Sequence, residues 1–312
     1  MRIRCLLVVF LILAWCRASQ AQERFSIPAV LTFSALTENM KVNTFAQVGF
    51  QWIGSNTTLP PVVESIPLGP GSLAFGNSDW WFEDSNFWSG TVGFTIISND
   101  ICSLFGSMGG LLDRPFVTSG SFPVSLLGFS ATNFLQFDST EVESWFVQGG
   151  FGIGPLLAGI YWDHFAYSMN NPRNQTGPLA NQTLRQDVIT KSFCPFVGIA
   201  IPSGGATATV IYSPFAYSKA TMALRNSDTR FSEMEYDWIK PGQFVSASFQ
   251  YNIPLTSSTS FGLWANYLWM RTEGDSDVTL RSSDLAAPIS RRVTVNMSQY
   301  VYGGGLSFGY SF

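Results

Sequence analysis

The stretch Tyr300-Val301-Tyr302-Gly303-Gly304-Gly305-Leu306-Ser307-Phe308-Gly309-Tyr310-Ser311-Phe312 sorts its side chains onto two faces. Tyr300, Tyr302, Leu306, Phe308, Tyr310 and Phe312 fall on one; Val301, Gly303, Gly305, Ser307, Gly309 and Ser311 fall on the other. A period of two is that of a β-strand. A strand with a bulky aromatic face backed by tiny or polar residues suits a wall between lipid and a narrow lumen. The stretch therefore reads as the closing strand of a transmembrane β-barrel, with its bulky face in lipid.

Upstream segments repeat the pattern. Val245, Ala247, Phe249, Tyr251 and Ile253 alternate with Ser246, Ser248, Gln250 and Asn252, and Phe261, Leu263, Ala265, Tyr267 and Trp269 share one face. Val42, Ala46, Val48, Phe50 and Trp52 oppose Asn43, Gln47 and Gln51; Trp145, Val147, Phe151 and Ile153 oppose Gln148, Gly150 and Gly152. Inward Phe45, Phe146, Phe244 and Trp264 are expected to fill much of the lumen, which disfavours a general diffusion pore. A smaller, selective channel would need a polar path along Asn43, Gln47, Gln148, Gln250 and Asn266.

The first residues explain how such a chain reaches a membrane. Arg2 and Arg4 precede the apolar run Leu6 to Trp15, and Ser19, Gln20 and Ala21 offer small residues for a signal peptidase. The expected organisation is a signal peptide over 1–21 and a single barrel domain over 22–312, exported to the bacterial outer membrane. Beyond the leader no run of roughly 18 apolar residues could cross as a helix. The chain is 46% hydrophobic and 15% aromatic but only 12% charged, about half the usual globular share of charge. Removing Arg2, Arg4 and Arg17 from the 17 basic residues leaves 14 against 21 acidic ones, a balance that excludes nucleic acid as a natural partner. Cys5 and Cys16 leave with the leader; Cys102 and Cys194 stay, toward opposite ends of the barrel, and are expected not to pair.

Connections provide a second test, because barrels of this kind use short periplasmic turns and long outer loops. Short breaks fall at Gly154-Pro155, 202–205 and 254–258; long polar stretches cover 54–77, 131–143, 170–190, 226–240 and 272–292. The strands then lie near 32–53, 78–97, 117–131, 143–154, 156–169, 190–201, 206–225, 242–253, 259–271 and 293–312. These are ten, and an even number returns both ends to the periplasm. Residues 98–115 fit badly: a further strand over 101–112 would make the count odd, so they are read as an extended strand end plus an irregular or helical turn.

Several residues resemble those of the omptins, ten-stranded outer-membrane proteases. Ser78-Asp79-Trp80-Trp81-Phe82 is similar to the family's entry into its second strand. Leu156-Leu157-Ala158-Gly159-Ile160-Tyr161, Pro195-Phe196-Val197-Gly198-Ile199 and Phe215-Ala216-Tyr217-Ser218 follow in the family's order. The resemblance implies a water activated at the extracellular mouth by an Asp–His pair facing a pair of aspartates. The matching stretch here, 223–231, reads Ala-Leu-Arg-Asn-Ser-Asp-Thr-Arg-Phe: Asp228 is present and no histidine follows. The facing loop is short and holds Asp138, Glu141 and Glu143 without the paired aspartates. No catalytic residue carries over, and the protein is expected not to act as an omptin protease.

The chain's one histidine, His164, follows Asp163, and adjacent strand residues point to opposite faces. A rearranged acid–base site would have to combine His164 with Asp228 or Asp138; otherwise His164 is a residue of the aromatic girdle. The resemblance also implies contact with lipopolysaccharide through basic residues on the outer wall, for which Arg271, Arg291 and Arg292 are the candidates unless they pair with Glu273, Asp275 and Asp277. No cofactor or metal is expected. The partners expected are outer-membrane lipid and an extracellular ligand or peptide, with the protein a monomer. Surface binding, adhesion or an envelope role is the leading function; a divergent endopeptidase and a small channel are the alternatives.

Overall fold

The computed structural model describes residues 40–60, 65–68, 71–75, 78–98, 102–111, 116–126, 129–170, 184–226, 231–283 and 285–312. The leader assignment lies outside these residues. Residues 41–312 form one compact unit. Its strands are β1 (Met40–Leu59), β2 (Ser65–Leu68), β3 (Gly71–Phe75), β4 (Ser78–Ser98), β5 (Cys102–Leu111), β6 (Phe116–Leu126), β7 (Phe129–Ile153), β8 (Leu156–Asn170), β9 (Leu184–Ser203), β10 (Ala206–Asn226), β11 (Phe231–Pro254), β12 (Thr259–Ser282) and β13 (Ile289–Ser311).

Ten of them close a ring in the order β1-β13-β12-β11-β10-β9-β8-β7-β5-β4, with β4 returning to β1, and every registered pair is antiparallel. Closure leaves no free edge in the ring, the condition for a sheet to stand in hydrocarbon. The chain's last strand lies between β12 and β1, with Asn43 opposite Ser311 and Thr58 opposite Asn296. Turns at one end are tight. Gly204 and Gly205 both take positive φ, and Gly154 does so before Pro155, conformations that a side chain would strain. At the 255–258 turn Thr256 Oγ1 accepts from the amides of Ser258 and Thr259.

The third strand differs from expectation. Strand β5 pairs with β4 from Ser98↔Cys102 to Ser89↔Leu111, and β6 then continues upward in the same gap, opposite β4 at Asp79↔Ser121 and opposite β7 at Phe129↔Leu126. The strand expected at 117–131 and the extra strand weighed at 101–112 are therefore two parts of one wall strand, β5 and β6, with 112–115 outside the described residues. The even count survives, and 98–115 is not an irregular turn.

The stretches expected to be long loops are largely strand. Strands β11, β12 and β13 run 24, 24 and 23 residues, and β12 pairs with β13 without a break from Thr259↔Tyr310 to Leu280↔Ile289. A tilted membrane strand needs only about 9–11 residues. The outer half of the wall therefore stands in water.

Candidate functional site

The outward face of β12 shows where lipid stops. Phe261, Leu263, Ala265, Tyr267 and Trp269 are followed by Arg271, Glu273, Asp275 and Asp277 on the same side. Around the ring the change of polarity is marked by rings of aromatic contact: Trp162 against Phe193 at 6.1 Å, Phe193 against Tyr217 at 6.4 Å, and Trp52 against Tyr302 at 5.6 Å. Below it, Val197, Ile201, Phe151, Ile153, Leu156, Phe249, Leu306 and Phe308 are exposed apolar side chains. An apolar band bounded by aromatic residues is the outer surface of a membrane barrel.

Inside, polarity is reversed. Above the girdle, Ile53, Phe87, Val142, Phe165, Tyr167, Val188, Met222, Tyr236, Ile239, Val278, Val293, Val295 and Met297 form one buried apolar cluster. With Leu111 packed against it, the cluster draws on all ten ring strands. A second cluster beneath it contains Tyr161, Phe196, Ile211, Phe244, Leu268 and Met270. Between them a void of about 10 Å³ lined by hydroxyl and methionine side chains is at the lower limit for one water. Tyr236 closes the top: it is fully buried and its hydroxyl donates to the Pro60 carbonyl at 3.3 Å. Burial lifts its phenol above the ordinary tyrosine range.

The membrane half holds a different interior. A cavity of about 760 Å³ runs from the turn end, at Gly154, Pro202 and Ser311, up to Asp163, Leu268 and Val301. Asn43, Gln47, Gln148, Gln250 and Asn266 line it, as their alternation predicted, and so do Phe45, Phe146 and Trp264. The Trp264 indole lies over the backbone of Gly49 and donates to the Leu306 carbonyl at 3.1 Å. The small face of the closing strand admits the close approach of β1: a Cβ at Gly305 would collide with the Val48 carbonyl and Gly49.

Asp163 and His164 occupy opposite sides of the wall. Asp163 faces inward at 4% exposure, while His164 faces outward and stacks on Trp145 at 5.3 Å and 18°. His164 is thus a girdle residue, with Glu143 and Lys191 as charged neighbours. Asp138 lies in β7, paired on one side with β6, and Asp228 lies outside the described residues. Among the described residues no aspartate pairs with His164. Among the described residues no group of three or more His, Cys, Asp or Glu side chains could hold a metal. Cys102 is exposed at the turn end and Cys194 is buried beside Met270, its Sγ 3.9 Å from the sulfur; both are free.

The arginines of the outer wall are engaged with carboxylates. Arg271 meets Glu273 at 2.6 Å and Arg292 meets Asp275 at 3.4 Å. Arg291 shares the face of Val293, not that of Arg292, so the three candidates for lipid phosphate do not form one outward cluster. A second group joins β10, β11 and β12. Glu235 takes Lys219 at 2.6 Å and Arg281 at 3.0 Å, and Arg281 also reaches Glu233 at 3.3 Å. Hydrogen bonds from Lys219 and then Arg281 hold the Glu235 carboxyl below its ordinary 4.5. A depressed acid contributes stability above its unfolded value, and that contribution is lost as pH falls through the folded one. Stability measured from pH 7 downward should therefore fall more steeply below about 4.5 in wild type than in Glu235→Gln. The difference at neutral pH should stay under about 1 kcal/mol, since the group is exposed to solvent.

Two features escaped sequence reasoning. The apolar cluster of the outer half was hidden because 272–292 was read as loop. Its signal was the even positions of β12, where Met270 and Val278 stay apolar inside while the odd positions become charged outside. Asp163 was weighed only as a partner for His164; its place on the face of Tyr161, Phe165 and Tyr167 marks it as a lumen carboxylate.

No family model and no curated protein match the sequence. Solved structures do. The outer membrane protease OmpT from Escherichia coli superposes with a TM-score of 0.65 at 11% identity, over 89% of this chain and 100% of that one. The translocator domain of the autotransporter NalP from Neisseria meningitidis gives a TM-score of 0.33 at 14% identity, over 96% and 97%. At these identities the likeness speaks for the fold alone. The ring of ten antiparallel strands, its apolar band and the superposition on the omptin barrel agree: this chain has the fold of an omptin-like, ten-stranded outer-membrane β-barrel.

Proposed function

We propose that this protein is a non-conducting barrel of the bacterial outer membrane whose outer half acts at the cell surface as a binding platform. The observation that carries this reading is the apolar cluster drawn from all ten ring strands. The cluster caps the polar-lined cavity, which supports a lumen closed to solutes over a small channel. A protease of the omptin type needs its histidine at the mouth, whereas His164 faces lipid headgroups beside Trp145. What the outer half does offer is a tall wall, polar outside and rigid within. It carries paired charges over β11, β12 and β13 and hairpin extensions in β2/β3 and β6/β7.

The test joins two measurements. Refolded protein in planar bilayers is expected to give no conductance steps. Intact cells displaying the protein are expected to attach to immobilised extracellular proteins or polysaccharides, and to lose attachment when residues 274–292 are replaced by a two-residue turn. Steady conductance, or attachment unchanged by the shortened hairpin on every surface, would overturn the reading.

A further inference from the structure

The inner half of the lumen has a feature that a merely filled barrel does not need. The 760 Å³ cavity lies within the size range of small-molecule sites, about 300–1,000 Å³. Among the described residues its lining contains one charged side chain, Asp163, and no lysine, arginine or histidine. Asp163 is 4% exposed, and one of its oxygens, Oδ1, makes no hydrogen bond. Ser192 serves the rest of the carboxyl group. A buried charge left without a counter-charge is costly, by several kcal/mol on general grounds, and persists where something else offsets it.

Two further observations name the offsetting group. Ser107 Oγ and Asn266 Oδ1 are also buried without a hydrogen-bond partner, and both line the same cavity. An amide oxygen can only accept, so the cavity holds at least two acceptors waiting for donors. Next to Asp163 on the inner face of β8, Tyr161 stacks against Phe244 at 4.8 Å and against Phe146 at 5.9 Å. A buried carboxylate in the lining, unsatisfied polar atoms elsewhere in the same lining and an aromatic wall beside the carboxylate are complementary to a donor-rich cation with an apolar body.

We propose that this cavity is a binding site for a small organic ammonium compound, which enters from the periplasm and places its cationic nitrogen on Asp163 against the Tyr161 face. A free anion is repelled by the uncompensated carboxylate. A bare metal ion would leave the aromatic wall unused. The orientation, with the cavity toward the periplasm, rests on the barrel standing as the preceding reading has it. The apolar cluster above the cavity makes the site a dead end, so binding here is retention, not passage.

The experiment uses the refolded full-length chain in detergent, with putrescine and choline as probes and glucose and acetate as controls, read by calorimetry and by the fluorescence of Trp264 and its fellow tryptophans. Saturable binding of at least one amine is expected, with no binding of either control. Asp163→Asn should weaken it ten-fold or more, and Ser248→Trp, which fills the lumen away from Asp163, should abolish it. Heat-modified migration on gels checks that each variant is folded, and Asp163→Glu supplies a second charged variant if Asp163→Asn fails to fold; it should retain binding. No amine binding, equal binding by Asp163→Asn, or equal binding of glucose would overturn the proposal. Conductance of the same preparation separates the two readings: silence with no amine binding removes this inference alone, whereas conductance removes the closed barrel.

Discussion

Leu263→Arg is expected to lower the free energy of unfolding by roughly 2–4 kcal/mol, while Thr279→Arg on the same face of the same strand changes it by less than about 1 kcal/mol. Leu263 lies within the outward apolar run that ends at Trp269, and it is exposed. An arginine there must sit in hydrocarbon or thin the bilayer around it. Thr279 stands beyond Arg271 and opposite Glu235, in a field of paired charges where a further guanidinium finds water and a carboxylate. Denaturant unfolding in lipid vesicles reads both. Equal losses at the two positions would mean that the boundary does not lie near Trp269.

Tyr236→Ala should cost about 3–5 kcal/mol, the usual range for removing a fully buried aromatic ring, and should also breach the outer seal. The ring is 0% exposed and packs among Val278, Val295 and Met222 in the upper cluster. Its loss leaves a gap above the hydroxyl layer of Thr190, Ser192 and Ser218, where water can enter. Intermittent conductance is therefore expected from the variant in bilayers, against none from wild type. Tyr236→Phe, which loses the hydroxyl's contacts with the Pro60 carbonyl and the Met234 sulfur, should cost about 0.5–1.5 kcal/mol and stay silent. A stable, silent Tyr236→Ala would show that the cluster collapses around the gap.

The membrane half was legible from sequence because two solvents impose the period directly. Lipid outside selects Phe249, Tyr251 and Ile253; a wet cavity inside selects Ser248, Gln250 and Asn252. Strands β8 to β13 follow from that alternation. The outer half was illegible for the converse reason. There the outside is water and the inside apolar, so Val278, Val293 and Val295 sit singly among polar neighbours and the stretch looks like loop. Strand β5 is visible at 101–112 but is set aside by the parity of the count, and only the pairing shows that β6 continues it in the same gap, which defeats counting by turns. The site suffered similarly. That His164 and Asp163 part to opposite faces follows from the backbone; that Asp163 ends in a cavity with no basic residue depends on strands far away in sequence.

The pairing of β1 with β13 bears on how the molecule is made. Residues 43–58 find their partners in 296–311, more than two hundred positions later, whereas every neighbour from β7 to β13 pairs with the strand next in the chain. The ladder of hairpins can grow one strand at a time, but the first strand waits with one edge bare until the last has emerged. Such long-range pairing is slow to form and exposed to aggregation while it is pending. Synthesis and closure are therefore separate events. A chain halted before residue 296 holds most of its strands and none of its closure, so the first edge stays open to wrong partners for as long as it lacks its mate.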